Sequence, residues 1–297
     1  MTHVLIRVGL TILLLAIVFI KINLADVINI LISVNALYFV MALFFVPILY
    51  VIRTYKWNIL LNSVGIKVSF FNLIYVLLIG VFYGLITPGK IGELGRVYHL
   101  SERKSETIPT VLMEKIIDIF VLTMLSIITA VTFYSSHQQL WQGLLIFSIL
   151  FVSGTCLLTN RKFTLIVTKF FGADYEDADI YVNKLLNLFH NKVTLSKVCM
   201  LSVVYYLVAY VLGYFLLRSL NIDTSMVIAL PIIILMGNIP ITISGLGLRE
   251  SVSTVCFVLL GDKGIHGVSF SILLFVVMIL LPGILGYFLT IRGKNYS

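Results

Sequence analysis

The residues best suited to chemistry lie in a segment that combines a proline, closely spaced glycines and opposite charges. Residues 87–96 read TPGKIGELGR and follow a long hydrophobic run. A helix that restarts after Pro88 and Gly89 would offer an anion its free N–H groups and the positive end of its dipole. Lys90 and Arg96 would add positive charge, and the guanidinium suits phosphate. Glu93 precedes Arg96 by three residues, so the two can pair on one helix face. The candidate binding residues are Thr87, Pro88, Gly89, Lys90, Gly92, Glu93 and Arg96.

A second segment has the same character. Residues 238–250 read NIPITISGLGLRE, in which a proline interrupts the hydrophobic run and two glycines free the backbone. Arg249 and Glu250 place opposite charges beside the next apolar run, which is costly unless they meet water, a partner or a ligand. The alternative for both segments is a plain loop with its charges among the lipid headgroups. The candidate binding residues here are Pro240, Ser244, Gly245, Gly247, Arg249 and Glu250.

Two further acids stand at the start of a hydrophobic run. Glu114 and Asp118 are four residues apart, so they share one helix face. An acid inside a membrane is costly without a role, so both are candidate binding residues, with Arg96 or Arg249 as a partner for Asp118. The alternative is that Glu114 and its neighbour Lys115 merely lie at the membrane interface.

The composition decides what kind of structure must position these residues. Of the 297 residues, 60% are hydrophobic and only 11% are charged, which excludes an ordinary soluble domain and predicts a helical membrane protein with many spans. The net charge of +8 fits basic cytoplasmic loops, so we expect no nucleic-acid partner. The scattered cysteines and histidines form no ligand set, so no metal and no cofactor are predicted. The first apolar run lacks a cleavage site typical of signal peptides.

Hydrophobic runs of about 20 residues predict the spans. The long uncharged run Ile119–Asn160 must hold two spans that turn at residues 137–139. The connector Arg161–Lys197 has apolar pairs at roughly helical spacing, which predicts an amphipathic surface helix. With the two proline-glycine segments as re-entrant or broken hairpins, the fold class is an all-α polytopic membrane protein of about six full spans and two hairpins. The other predicted spans are Val4–Ile20, Val27–Ile52, Val198–Leu217 and Gly264–Ile291, and the hairpins cover about Val68–Glu93 and Thr224–Leu260.

The distribution of basic residues favours hairpins over ordinary crossings. Arg53, Lys56 and Lys67 are predicted to lie in the loop before the first segment. If that segment enters and leaves on one side, this loop and most other lysines and arginines fall on the cytoplasmic side, together with both termini. Crossing, hairpin and crossing then occur twice from opposite faces, which predicts an inverted repeat within one domain of residues 1–297. Its halves are residues 1–135 and 141–297, with the cytoplasmic amphipathic segment 161–197 joining the elements. We expect a multi-pass protein of the cell membrane.

Three segments carry a resemblance to a known family. ITPGKIGELGRVYHL at residues 86–100, MEKIIDIFVL at 113–122 and IPITISGLGLRE at 239–250 resemble the signatures of the lysylphosphatidylglycerol synthase transmembrane-region family, also called flippase-like domain proteins. The resemblance covers essentially the whole chain. It implies lipid translocation between leaflets and recurrent positions at the proline, glycine and charged residues above. The third segment lacks a second proline that members often have before the glycine. A sequence ending at Ser297 leaves no room for the family's soluble aminoacyltransferase domain, so no synthase activity is expected.

The resulting hypothesis is a lipid flippase, or a transporter of a lipid-linked substrate, that does no covalent chemistry. Its headgroup would carry phosphate, as in aminoacylated phosphatidylglycerol or a polyprenyl phosphate. Arg96, Arg249 and the restarted helix ends would bind the phosphate. Glu93, Glu250 and Asp118 would orient the arginines or meet a cationic headgroup such as an aminoacyl amine. The alternatives are a membrane enzyme that acts on polyprenyl phosphates or diphosphates, and an accessory subunit of a lipid or glycan synthesis complex. The expected partners are membrane lipids, with a separate synthase, a glycosyltransferase or a second copy of the chain left open.

Overall fold

A computed structural model shows a chain built from helices. It describes residues 22–87, 90–100, 103–170 and 174–291, together with Gly9, Thr11, Leu13 and Ala16, and these residues include no β-strand. The described α-helices are α1 (Leu24–Ile32), α2 (Ala36–Ser63), α3 (Phe70–Leu85), α4 (Lys104–Phe133), α5 (Gln138–Thr159), α6 (Arg161–Phe170), α7 (Tyr175–His190), α8 (Lys192–Ser219), α9 (Leu230–Gly237), α10 (Leu248–Leu259), α11 (Gly264–Phe275) and α12 (Leu281–Ile291). Two 3₁₀ helices (Ile91–His99 and Thr224–Ala229) and a π-helical turn (Val276–Leu280, between α11 and α12) complete the described helices.

Five helices are long and apolar enough to cross a membrane: α2, α4, α5, α8 and the continuous helix Gly264–Ile291. This confirms a polytopic helical membrane protein, and five of the six predicted spans are present. The sixth, Val4–Ile20, lies almost wholly outside the described residues. The turn between α4 and α5 falls at residues 134–137. It includes His137 of the turn predicted at residues 137–139 and ends before Gln138, where α5 begins.

The predicted span Val27–Ile52 is wrong in its bounds. The chain breaks after α1, and the side chain of Asn35 accepts a hydrogen bond from the backbone N–H of Leu37 at 3.1 Å, which starts a new helix. That helix, α2, continues to Ser63. Arg53 and Lys56, predicted to lie in a loop, are therefore inside a spanning helix.

Both proline-glycine segments form hairpins. In the first hairpin (residues 70–99), α3 is followed by the 3₁₀ helix Ile91–His99, which packs back along it. The two helices of this hairpin approach so closely that a Cβ on Gly92 would lie 2.2 Å from the carbonyl oxygen of Tyr83. In the second hairpin (residues 224–259), the 3₁₀ helix Thr224–Ala229 and α9 lead to a non-helical tip, and α10 returns against α9. Neither α3, of 16 residues, nor α9, of eight, has the length of a full crossing.

Helix packing brings the elements around the two hairpins together. The spans that precede the hairpins, α2 and α8, pack along each other. Each hairpin then packs against the span that follows the other one: α3 lies along α12, and α9 lies along α4. Helix α12 passes α3 so closely that a Cβ on Gly286 would lie 2.0 Å from the carbonyl oxygen of Leu78. The crossed arrangement brings the two hairpin tips together.

The connector contains the predicted amphipathic helix. Helix α7 buries four apolar residues at helical spacing and packs them against α4. Two polar contacts fix its first turn: Ser105 donates a hydrogen bond to Asp177 at 2.9 Å, and Arg103 pairs with Glu176 at 3.1 Å. The buried residues are Ala178, Val182, Leu185 and Leu188.

Candidate functional site

The two hairpin tips touch. The backbone N–H of Ser244 donates to the carbonyl oxygen of Thr87 at 3.4 Å, and Lys90 Nζ donates to Asn238 Oδ1 at 3.2 Å. Lys90 has a left-handed backbone (φ 58°), as does Ser244 (φ 51°). Two non-glycine residues in a conformation that is costly for both mark these tips as conformationally strained.

A cavity of about 300 Å³ lies where the hairpins meet. Both hairpins line it, together with the spans α2, α4, α8 and Gly264–Ile291, so both halves of the chain contribute. Four basic and two acidic side chains line its wall among the described residues: Arg53, Lys90, Lys115, Arg249, Glu93 and Asp118. Tyrosines and aliphatic side chains form most of the remaining wall. An apolar cavity with a few convergent charged groups has the character of a ligand site.

On the first hairpin, Glu93 and Arg96 are bound to spans and not to each other. Glu93 pairs with Arg53 of α2 and, at 2.8 Å, with Lys115 of α4. Arg96 pairs with Glu114, which also accepts from Arg53 at 3.4 Å. Glu93, Arg96 and Glu114 are almost fully buried, so each charge depends on its partners. The predicted Glu93–Arg96 pair is wrong because the 3₁₀ helix directs both side chains at neighbouring helices.

Arg96 does not line the cavity. Its guanidinium lies 3.9 Å from the centre of the Trp57 ring, in a cation–π contact, and the side chain is 1% exposed. Trp57 is itself fully buried and donates to Thr110 Oγ1 at 3.0 Å. In this structure Arg96 holds the first hairpin to α4 and α2 and does not reach the place where a phosphate was predicted to bind.

Asp118 lines the cavity, but neither predicted arginine is its partner. Lys56 of α2 forms an ion pair with Asp118, and Ser202 of α8 donates to the same carboxylate oxygen at 2.7 Å. Lys56 is fully buried and also donates to Ser202 at 3.1 Å. Lys56, Asp118 and Ser202 therefore connect α2, α4 and α8 beside the cavity.

Arg249 reaches the cavity from the second hairpin. It pairs with Glu250 at 2.6 Å and donates to Ser271 Oγ at 2.9 Å. Glu250 in turn accepts from the backbone N–H of Gly247 at 2.6 Å, which caps α10. The start of α10 is thus occupied by the chain's own carboxylate and does not serve as the predicted anion site.

The first hairpin also uses some of its own N–H groups. Thr87 Oγ1 accepts from the N–H of Gly92 at 2.7 Å and donates to the carbonyl oxygen of Tyr83 at 2.7 Å. Residues 91–99 form a 3₁₀ helix, not the predicted α-helical restart. Pro88 and Gly89 lie outside the described residues.

The remaining predicted site residues fall into two groups. Pro240 lines the cavity. Ser244, Gly245 and Gly247 shape the tip of the second hairpin, and a Cβ on Gly245 would lie 2.5 Å from the carbonyl oxygen of Gly237. The hydroxyl of Ser244 is fully buried, and Ser244 is not among the residues that line the cavity.

Sequence reasoning missed Arg53, Lys56 and Lys115 as site residues. A signal was available for the first two: Tyr50, Arg53 and Lys56 recur every three residues, as one helix face would. A second missed signal is the pair Gly80 and Gly84 in α3. The side chains of Arg96 and Glu93 lie against these glycines, where a Cβ would approach them to 2.9 Å and 2.7 Å.

The fold and the cavity define a polytopic helical membrane protein with a charged site between two hairpins. Residues 4–286 match the family described as the lysylphosphatidylglycerol synthase TM region, and the chain belongs to this family. It is also similar to the UPF0104 membrane protein MJ1595 of Methanocaldococcus jannaschii. The two are 24% identical over 298 residues, which cover 90% of this chain and 88% of that protein.

Proposed function

We propose that the protein moves a lipid between the leaflets of the membrane and holds its phosphate-bearing headgroup in the cavity between the two hairpins. The observation that carries this proposal is the cavity itself, which both hairpin tips close and four basic side chains line. The acyl or isoprenoid chains stay in the bilayer while the headgroup crosses. Family membership supports a role in lipid handling.

Lys90 and Arg249 are the proposed phosphate ligands. Each comes from a different hairpin and lines the cavity. Lys90 makes no ion-pair contact with any described carboxylate, since its ammonium is held only by the neutral amide of Asn238. A phosphate oxygen would give it a charged acceptor and strengthen the interaction. Arg53 and Lys115 share Glu93, so they act as secondary contacts.

Transport without covalent chemistry is proposed over hydrolysis of a polyprenyl diphosphate. A hydrolase of this kind needs a nucleophile or base at the phosphate. The Thr87 hydroxyl both donates and accepts a hydrogen bond within its hairpin, and the Ser244 hydroxyl is buried away from the cavity wall. Release of phosphate from a lipid diphosphate by the purified protein would favour the enzyme.

Transfer of a headgroup-labelled anionic phospholipid between the leaflets of proteoliposomes tests the proposal. Lys90→Gln keeps a polar side chain near Asn238 but removes the charge, and we expect a loss of at least about tenfold in the transfer rate. Arg249→Gln should act in the same direction. The matched control is Lys192→Gln, because Lys192 is exposed at the first residue of α8.

Thermal unfolding of each variant must accompany the transfer assay, since Arg249 also holds Glu250. A folded Lys90→Gln protein that transfers lipid at the wild-type rate would refute the assignment of this cavity. Absence of transfer by the wild-type protein, together with a synthase or glycosyltransferase that co-purifies with it, would favour the accessory subunit.

A further inference from the structure

The charges around the cavity do not balance. The charge cluster comprises the charged side chains that line the cavity and every charged side chain linked to them through ion pairs. The link is direct except for Arg96, which is joined through Glu114 to Arg53. Its described basic members are Arg53, Lys56, Lys90, Arg96, Lys115 and Arg249, and its described acidic members are Glu93, Glu114, Asp118 and Glu250. Six cations against four anions leave a surplus of two positive charges in the interior of a membrane protein.

The surplus lies at the cavity wall. Each acid of the charge cluster is in contact with at least one cation, and Glu93 and Glu114 are each shared by two. Lys90 is the member without an ion pair. Glu93 lies close enough to attract its ammonium group, and Lys115, Arg249 and Arg53 lie close enough to repel it. Unbalanced charge is costly in a poorly solvated site, so a ligand that brings two negative charges has the largest gain.

From this balance we infer that the lipid carried by the site is one whose headgroup ends in a phosphate monoester. The inference rests on the proposed function, because it concerns the same cavity. A terminal phosphate carries between about 1.5 and 2 negative charges at neutral pH, which matches the surplus. A phosphodiester headgroup such as that of phosphatidylglycerol carries one negative charge and would neutralise only half of the positive surplus. A lysyl headgroup adds two ammonium groups and would increase the surplus.

The wall also offers few partners to a cationic headgroup. Glu93 is 6% exposed at its side chain and already accepts from Arg53 and Lys115. Asp118 is 20% exposed and is held by Lys56 and Ser202. An ammonium group would have to displace the groups that already bind Glu93 and Asp118. A phosphate could bind the ammonium of Lys90 without displacing any carboxylate.

Equilibrium binding to the purified protein in phosphatidylcholine nanodiscs tests the inference. Four lipids compete with a labelled phosphatidic acid: unlabelled phosphatidic acid, a polyprenyl monophosphate, phosphatidylglycerol and lysylphosphatidylglycerol. We expect one or both terminal phosphates to bind at least about tenfold more tightly than the other two lipids. Comparing phosphatidic acid with the polyprenyl phosphate shows whether a glycerolipid or an isoprenoid is the source of the phosphate.

Changing the charge at Lys90 tests the cause of the preference. Lys90→Gln leaves a surplus of one and should reduce the preference for a terminal phosphate over phosphatidylglycerol, and Lys90→Glu should abolish it. Lys192→Gln should leave the preference unchanged. Phosphatidylglycerol or lysylphosphatidylglycerol binding to the wild-type protein as tightly as the terminal phosphates would overturn the inference, whether or not the variants fold.

The two proposals fail in different ways. Transfer of all four lipids at similar rates, with similar affinities, would leave the flippase in place and refute the choice of headgroup. Selective binding of terminal phosphates without transfer between leaflets would refute the flippase, and the charge-matched site would remain.

Discussion

In the first hairpin, Glu93 and Arg96 reach out to α2 and α4, whereas in the second hairpin Arg249 and Glu250 pair with each other. The residue types and the proline-glycine setting are nearly the same in the two segments. The first hairpin is therefore fixed by ion pairs to other spans. In the second hairpin the ion pair lies within α10, and it meets the following span only through the neutral hydroxyl of Ser271 among the contacts described for these two residues. We therefore expect the first hairpin to be the less mobile of the two.

The largest effect is expected from the ion pairs that hold the first hairpin to the neighbouring spans. Glu114→Gln removes the carboxylate that Arg96 and Arg53 share, and we expect a loss of about 3–5 kcal/mol in the free energy of unfolding because buried guanidinium charge is left unpaired. Thermal unfolding in detergent measures it. The control is Glu106→Gln on the same helix, whose pair with Lys184 at 3.5 Å is partly exposed and should contribute about 1 kcal/mol or less. Equal losses of stability in the two variants would contradict a special role of Glu114 in holding the first hairpin.

Glycine replacements compare how closely each hairpin is packed. Gly92→Ala would place a Cβ 2.2 Å from a carbonyl oxygen, and Gly245→Ala would place one 2.5 Å from another with φ at 79°, so each should cost about 3 kcal/mol. Gly143→Ala in α5 meets no atom within 4 Å and should stabilise its helix by up to about 1 kcal/mol. Chemical denaturation of the three variants is the measurement. Wild-type stability in either hairpin variant would show that the two packed segments of that hairpin can separate.

A smaller effect is expected from the internal pair of the second hairpin. In Glu250→Gln the amide oxygen can still accept from the N–H of Gly247, so only the charge on Arg249 loses its partner. We expect a loss of about 2 kcal/mol, below that of Glu114→Gln. If Glu250→Gln proves the more damaging of the two, the comparison between the hairpins is reversed.

The smallest effect is expected at the contact between the tips. Asn238→Ala removes the acceptor of Lys90 and should cost about 1 kcal/mol, since one hydrogen bond is lost. Hydrogen exchange should rise in the tip at residues 238–247 and stay unchanged in the 3₁₀ helix Ile91–His99, because ion pairs hold the latter. Faster exchange in both hairpins would mean that they open together.

Much of this architecture could be predicted from sequence. Hydrophobic runs located the spans, and the prolines and glycines located both hairpins. The sequence-based bounds failed at Val27–Ile52, because a short polar break with the Asn35 cap carries almost no signal in a hydrophobic average. The same error placed Arg53 and Lys56 in a loop. The site was predicted in part: Lys90, Glu93, Asp118, Pro240 and Arg249 line the cavity, and Arg96 does not.

By itself, the sequence determined that the chain enters a membrane and where its helices must break. Both follow from local rules, since a bilayer selects about 20 apolar residues and a proline removes a backbone donor wherever it stands. Only the tertiary structure decided which cation meets which acid. Glu93 and Arg96 are three residues apart, but their partners come from α2 and α4, and helix packing sets those distances. The net charge around the cavity could therefore be determined only from the tertiary structure, which shows which charged residues are paired and which line the cavity.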